Sequence, residues 1–148
     1  GASLITIHGR TYKQGFADNA DWQPIYELKK KLAIPIVGNG DVQDIHDGMN
    51  KINNLDGFMI GRSSIGNPWV FSLDTVPAFS EKISTIINHV KYLVELKGEK
   101  IAFLEIRKSL LAYVKGLPHA SKYRSKLVRV ETLQSISDIL NEISSQAL

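Results

Sequence analysis

The sequence contains no cysteine. That excludes a disulfide framework, a thiolate metal site and a thiol nucleophile within these 148 residues. Histidine is sparse: His8, His46, His89 and His119 are scattered without metal-ligand spacing, so no resident metal is expected. A P-loop, a G-x-G-x-x-G turn and a Ser-His-Asp arrangement are also absent, which argues against acyl transfer. No run approaches the roughly 20 apolar residues that span a bilayer. The opening residues GASLITIHGR lack a basic n-region, a long apolar segment and a cleavage site. A cytoplasmic location with no membrane partner is therefore expected. The chain enters an apolar run almost at once after Gly1, as a segment cut from a longer protein would.

What is present is a folded-protein composition, 43% hydrophobic with a formal charge of +3, unevenly distributed. Residues 1–79 hold seven Lys/Arg against eight Asp/Glu, whereas residues 80–148 hold eleven against seven. Within 100–130 the bases Lys100, Arg107, Lys108, Lys115, Lys122, Arg124, Lys126 and Arg129 face only Glu105. Such density suits a polyanionic partner, and equally a solvated helix surface.

The two halves differ in periodicity as well. Leu4–His8, Ile34–Val37 and Gly57–Ile60 are short apolar or β-branched runs, stopped by Gly9, by Gly38-Asn39-Gly40 and by Gly61. Helical stretches near 22–32 and 42–53 separate them, the second with Asp41 as its expected cap. Trp22 and Trp69 are assigned to packing of the helices that flank the sheet. The order βαβαβ predicts parallel strands, and three of them cannot close a barrel or cover both faces of a sheet. A truncated (β/α) barrel is the preferred reading, and a complete three-stranded α/β domain the alternative.

Beyond Pro77 no strand signal remains. Ile83, Ile86, Ile87, Val90 and Val94 mark one helix capped by Ser80 and ended by Gly98. Ile101, Leu104, Leu111 and Val114 mark a second that stops at Gly116-Leu117-Pro118, residues 118–130 a further one, and Leu133, Ile136, Ile139, Leu140 and Ile143 a last. The division expected is 1–78 for the α/β part and 79–148 for an all-α bundle.

Chemistry-bearing residues gather after each strand: His8-Gly9-Arg10, Gly38-Asn39-Gly40-Asp41 and Gly61-Arg62-Ser63. In (β/α) barrels the C-terminal strand ends carry the active site, and the loops after the last two strands commonly bind phosphate. Glycine lets backbone N–H groups approach an anion, and Arg62 adds a charged fork. His8 offers a neutral donor close to the permanent cation of Arg10, apt for a flavin ring, a phosphate or a uracil-like ligand.

In their order and spacing, Thr6-Ile7-His8-Gly9-Arg10-Thr11, Ala20-Asp21-Trp22, Ile34-Pro35-Ile36-Val37-Gly38-Asn39-Gly40-Asp41, Asp56-Gly57-Phe58-Met59-Ile60-Gly61-Arg62 and Gly66-Asn67-Pro68-Trp69 resemble successive signatures of tRNA-dihydrouridine synthases. The run Ile106–Pro118, with Tyr123-Arg124 after it, is similar to that family's tRNA-binding domain, and Gly66-Asn67-Pro68-Trp69 leans toward the bacterial branch. The resemblance implies the last three βα units of a TIM (β/α)8 barrel followed by a helical domain. It implies FMN as cofactor, NADPH as reductant and uridine in tRNA as substrate, reduced to 5,6-dihydrouridine after being turned out of its stack. Carried over by position, His8 contacts the flavin beside the target base and Arg10 helps hold the uracil. Asn39, Gly40, Gly61 and Arg62 form the flavin phosphate site, Asp41 is a further cofactor-binding residue, and Arg107, Lys108, Lys115 and Arg124 face the tRNA backbone.

The family's catalytic cysteine and flavin-site lysine belong to earlier barrel strands, so this chain alone is expected to be inactive. Ser109 and His119 depart from the family's pattern in the helical part. On the residues alone, a non-catalytic RNA-binding module and a different FMN- or phosphate-binding barrel oxidoreductase stay open. An exposed half-barrel is also expected to self-associate through its open sheet edge.

Overall fold

A computed structural model describes residues 1–15, 17–73 and 76–146. The chain divides into two compact units, one of residues 1–64 and 68–75, the other of residues 65–67 and 76–148.

The first unit is α/β. Strands β1 (Ile5–His8), β2 (Ile36–Asn39) and β3 (Gly57–Met59) form a parallel sheet in the order β1-β2-β3. Helices α1 (Gln23–Lys29) and α2 (Ile45–Ile52) connect them. The register pairs Ile5 with Ile36, His8 with Asn39 and Asn39 with Met59. Because side chains alternate along a strand, Ile7, Ile36 and Phe58 fall on one face. There they pack with Trp22, Ile25, Val42 and Leu55, which come from α1 and the connecting loops. On the other face Thr6, His8 and Met59 are exposed. A parallel sheet covered on one side only is consistent with a segment of a (β/α) barrel, whose strands turn their second face inward.

Two expectations about the elements of this first unit need correction. Strand β2 begins at Ile36 and runs through Gly38 and Asn39, which were expected to stop it; both pair with β1 and β3 and so complete the ladder. Asp41 does not cap α2. The cap is Asp44, whose side chain accepts from the Asp47 backbone N–H at 2.8 Å, while Asp41 has other partners described below.

The second unit is helical: α3 (Phe79–Lys97), α4 (Glu99–Tyr113), α5 (Ala120–Leu127) and α6 (Leu133–Gln146). Helix α3 packs on α4 and α6, and α5 packs on the same two, so the four helices enclose one core. Ile86, Val90, Phe103, Ile106, Leu110, Tyr123, Leu127, Ile136, Leu140 and Ile143 fill it. Gly98, at φ 74°, ends α3 and opens α4. Ser80 lies inside α3 rather than capping it; the helix starts one residue earlier, where the Glu81 carboxylate accepts from the Ala78 N–H at 3.0 Å. Ile101 and Leu104, expected to mark the buried seam of α4, are exposed. A 3.6-residue repeat fits two adjacent stripes of this helix, and the bulkier one with Phe103, Ile106 and Leu110 takes the core. Gly66 completes this unit: a Cβ there would stand 2.6 Å from the Tyr113 backbone nitrogen, so only glycine permits the approach.

Gly38 sits under the Trp22 ring, where an added Cβ would lie 2.2 Å from Cζ3. Gly38→Ala should therefore force ring and strand apart and reduce unfolding free energy by ~1–3 kcal/mol, measured by urea denaturation followed by tryptophan fluorescence.

Candidate functional site at the strand ends

The three strands end together. His8 and Asn39 are cross-strand partners, and the next residues of each strand lead into loops 9–20, 40–44 and 60–64. The Gly9 N–H donates to the Asn39 carbonyl at 2.8 Å, and the Asn39 side-chain amide donates to the Met59 carbonyl at 2.8 Å. Asn39 thereby ties all three strand ends into one edge.

The His8 ring is exposed, and its Nδ1 accepts a hydrogen bond from the Arg10 backbone N–H at 3.0 Å. An accepting Nδ1 carries no proton, so in the neutral ring the proton is on Nε2, and that N–H is presented as a donor. The loop between Gly9 and Trp22 thus fixes the tautomer as well as the position of His8.

Asp41 is the centre of the cluster. It has the left-handed conformation, φ 55°, which aspartate tolerates better than most residues. One carboxylate oxygen accepts from Arg10 Nη2 at 2.6 Å and from the Ala20 N–H at 2.8 Å. The other accepts from Arg62 Nη2 at 2.8 Å. Its own carbonyl accepts from Lys51 Nζ at 2.9 Å, and the carbonyl of Gly40 accepts from the buried Trp22 Nε1 at 3.1 Å. Gly40, at φ 130°, has the Ala20 methyl 2.5 Å from where a Cβ would stand, so the turn is closed to any larger residue. The hydrogen bond from Arg10, reinforced by the Ala20 N–H and the charge of Arg62, holds the Asp41 carboxyl below the usual aspartate range.

The two arginines are held differently. The Arg10 side chain is only 6% exposed. Its Nε and Nη2 donate to the Asp18 carbonyl at 3.2 and 2.7 Å, and its buried Nη1 has no partner. Arg62 is 60% exposed and stands at the start of a 3-10 turn, Arg62–Ser64, that Ser63 pins by donating to the Val42 carbonyl at 3.0 Å. At Gly61 nothing lies within 4 Å of an added Cβ, so open space adjoins this turn. Two guanidinium groups share this one carboxylate, next to the N–H donor of the exposed His8 ring and an open glycine. That donor set suits an anionic ligand with a polar ring.

Seven of the residues singled out from sequence, His8, Arg10, Asn39, Gly40, Asp41, Gly61 and Arg62, belong to this one edge. The other four lie in the helical unit. Lys108, Lys115 and Arg124 are exposed, whereas Arg107 is half-buried and donates from Nη2 to the Val130 carbonyl at 3.2 Å. Sequence reasoning missed Lys51 and Ala20 as supports of the Asp41 loop. The i, i+4 spacing of Asp47 and Lys51, which pair at 2.6 Å, was a usable signal for the first. A backbone donor such as that of Ala20 leaves none.

Fold and site together define an α/β protein with an anion-suited edge at the C-terminal ends of parallel strands. The family model described as dihydrouridine synthase (Dus) matches residues 1–148. The chain is 32% identical over 155 residues to a probable tRNA-dihydrouridine synthase of Aquifex aeolicus, covering 100% of this chain and 49% of that protein. Identity is 33% over 156 residues to a probable tRNA-dihydrouridine synthase of Mycobacterium leprae, covering 97% and 41%. It is 31% over 159 residues to a probable tRNA-dihydrouridine synthase 1 of Synechocystis, covering 99% and 44%. The chain belongs to the dihydrouridine synthase family, and it spans about half the length, or less, of these relatives.

The Asp41 linkage sets a pH dependence. A carboxyl whose folded pKa is depressed adds stability at pH values above its unfolded pKa, and that stability is lost as pH falls through the folded pKa. Asp41→Asn, which leaves the buried Arg10 charge without its partner, should cost ~3 kcal/mol near neutral pH. The gap between wild type and variant should close as the solution is acidified below the ordinary aspartate range, as read by denaturation at a series of pH values.

Proposed function

We propose that this chain is the flavin-phosphate edge and the RNA-binding portion of a tRNA-dihydrouridine synthase, an oxidoreductase that reduces uridine in tRNA with FMN and NADPH. The observation that carries the reading is the convergence of His8, Asn39, the Gly40-Asp41 turn and Gly61-Arg62 on the C-terminal ends of three adjoining parallel strands. This is where a (β/α) barrel keeps its active site and its phosphate loops. In this reading the three βα units are the last of a TIM barrel. When bound, FMN supplies the hydride that reduces the C5–C6 bond of the uridine.

The chain's own residues have separate tasks. Arg62, exposed and oriented by Asp41, holds the flavin phosphate together with the turns at Gly40 and Gly61. The His8 Nε2–H donates to the flavin or to a carbonyl of the uracil. Arg10 lies too deep for broad contact, and its task is to brace the 9–20 loop and Asp41 from beneath, with its buried Nη1 without a protein partner. No residue present can act as the thiol acid that the resemblance implies, so the reaction needs barrel strands outside these 148 residues. In the helical unit Lys108, Lys115 and Arg124 contact RNA phosphates. Arg107, turned to Val130, contributes its charge and holds the α5–α6 connection.

The test uses the protein at its relatives' full length. Flavin released by denaturation should give its absorption band; a protein without flavin overturns the reading. Arg62→Ala should weaken FMN retention about tenfold or more, the worth of one charge-assisted hydrogen bond. Lys115→Ala should leave flavin content unchanged and lower the salt slope of tRNA binding by about 1. Equal flavin loss in both variants would contradict this division of tasks.

A further inference from the structure

The basic helix α5 carries Lys122, Arg124 and Lys126, which the charge pattern alone treats as equivalent. The structure makes them different. Tyr123 and Leu127 form the buried seam of α5, and the Tyr123 hydroxyl meets the Gln146 side-chain carbonyl of α6 at 2.5 Å. Lys122 and Lys126, one helical turn apart, lie on the flank of that seam facing α6. There both ammonium groups pair with one residue: Lys122 Nζ with Glu142 Oε1 at 2.8 Å, and Lys126 Nζ with Glu142 Oε2. At 100° per residue Arg124 falls on the opposite flank, exposed and with no carboxylate partner among the described residues.

Resting on the RNA-binding reading above, we propose that Glu142 is a charge-sorting residue: it holds Lys122 and Lys126 against α6, so that α5 meets an RNA backbone through its Arg124 flank. A lysine already paired to a fixed carboxylate can contact a phosphate only by leaving that carboxylate bare, so neither adds a full phosphate contact while Glu142 is in place. Arg124 has no such exchange to make. The Glu142 carboxyl is held below its usual range by its hydrogen bonds from Lys122 and Lys126, so it is a carboxylate at every pH at which RNA would bind. Glu142 touches no ligand and acts through the two lysines; it is a positioning residue.

The number of phosphate contacts is read from the slope of log Kobs against log salt, about 0.7–0.9 per contact. The slopes of wild type, Glu142→Gln, Lys122→Ala/Lys126→Ala and the triple variant are measured with tRNA, and in parallel with heparin as a generic polyanion. Circular dichroism checks that α5 and α6 stay helical. Glu142→Gln should steepen the slope by about 1–2. The double lysine variant should match wild type, and the triple variant should return the Glu142→Gln slope to the wild-type value. Arg124→Ala should lower the slope by about 1. A slope that falls by about 2 on removing the lysines with Glu142 intact, or that does not change in Glu142→Gln, overturns the proposal. If wild type binds heparin but not tRNA, the RNA reading fails, and the role of Glu142 is decided by the heparin slopes. Should Glu142→Gln loosen the helices, the lysine double variant, which keeps Glu142, still decides between the two outcomes.

Discussion

The α/β unit depends on one carboxylate placed between two guanidinium groups. Arg10, Asp41 and Arg62 come from three different loops, each following a different strand, so this linkage joins the loops by charge above the ladder and the Asn39 bonds that tie the strand ends. A buried arginine is costly unless its charge is matched. Asp41 matches Arg10 and still has an oxygen for Arg62, which orients that more exposed cation. The backbone around Asp41 must then be held against the strain of its left-handed turn. Trp22, Ala20 and Lys51 hold it, from three further positions in the chain.

Trp22 shows how packing and site are coupled. Its ring fills the space above Gly38 in the core, and its N–H reaches the Gly40 carbonyl at the rim. The residue that closes the core therefore also fixes the turn presented to the ligand. A sequence with a smaller residue at position 22, or a larger one at 38, loses both at once, which makes the site as rigid as the core beneath it.

Much of this was legible in the sequence for identifiable reasons. Three short apolar or β-branched runs with glycine at or near their ends marked the strands, their parallel order and the edge where His8, Asn39, Gly40, Gly61 and Arg62 meet. Periodicity marked α3, α4 and α6 of the second unit, whereas α5 was expected without a periodic signal of its own. The misreadings of Asp41, Ile101 and Leu104 share one cause, that a residue's partner can be distant in sequence. Asp41 looked like a cap because it precedes a helix, but Arg10 and Arg62, separated from it by 31 and 21 positions, are the stronger partners. Ile101 and Leu104 fit the helical repeat as well as the true core residues do, and only the neighbouring helices distinguish the two stripes. Arg107 looked like a surface base until Val130 supplied a carbonyl for it.

The two units use the same arrangement, two bases on one acid, with opposite consequences. In the first the pair is anchored by a side chain that is 6% exposed, so desolvation makes the match between Arg10 and Asp41 strong and leaves Arg62, 60% exposed, as the cation offered to solvent. In the second, Lys122 and Lys126 are 52% and 41% exposed, and each pair is the kind that water and salt weaken. The first arrangement is structural and survives salt. The second contributes little to the fold, yet a lysine that left Glu142 for a phosphate would only exchange one anion for another, so it can discriminate among positions for a polyanion. Burial alone separates the two roles, which is why charge counting along the sequence could locate the basic region but could not say which of its cations are open to a partner.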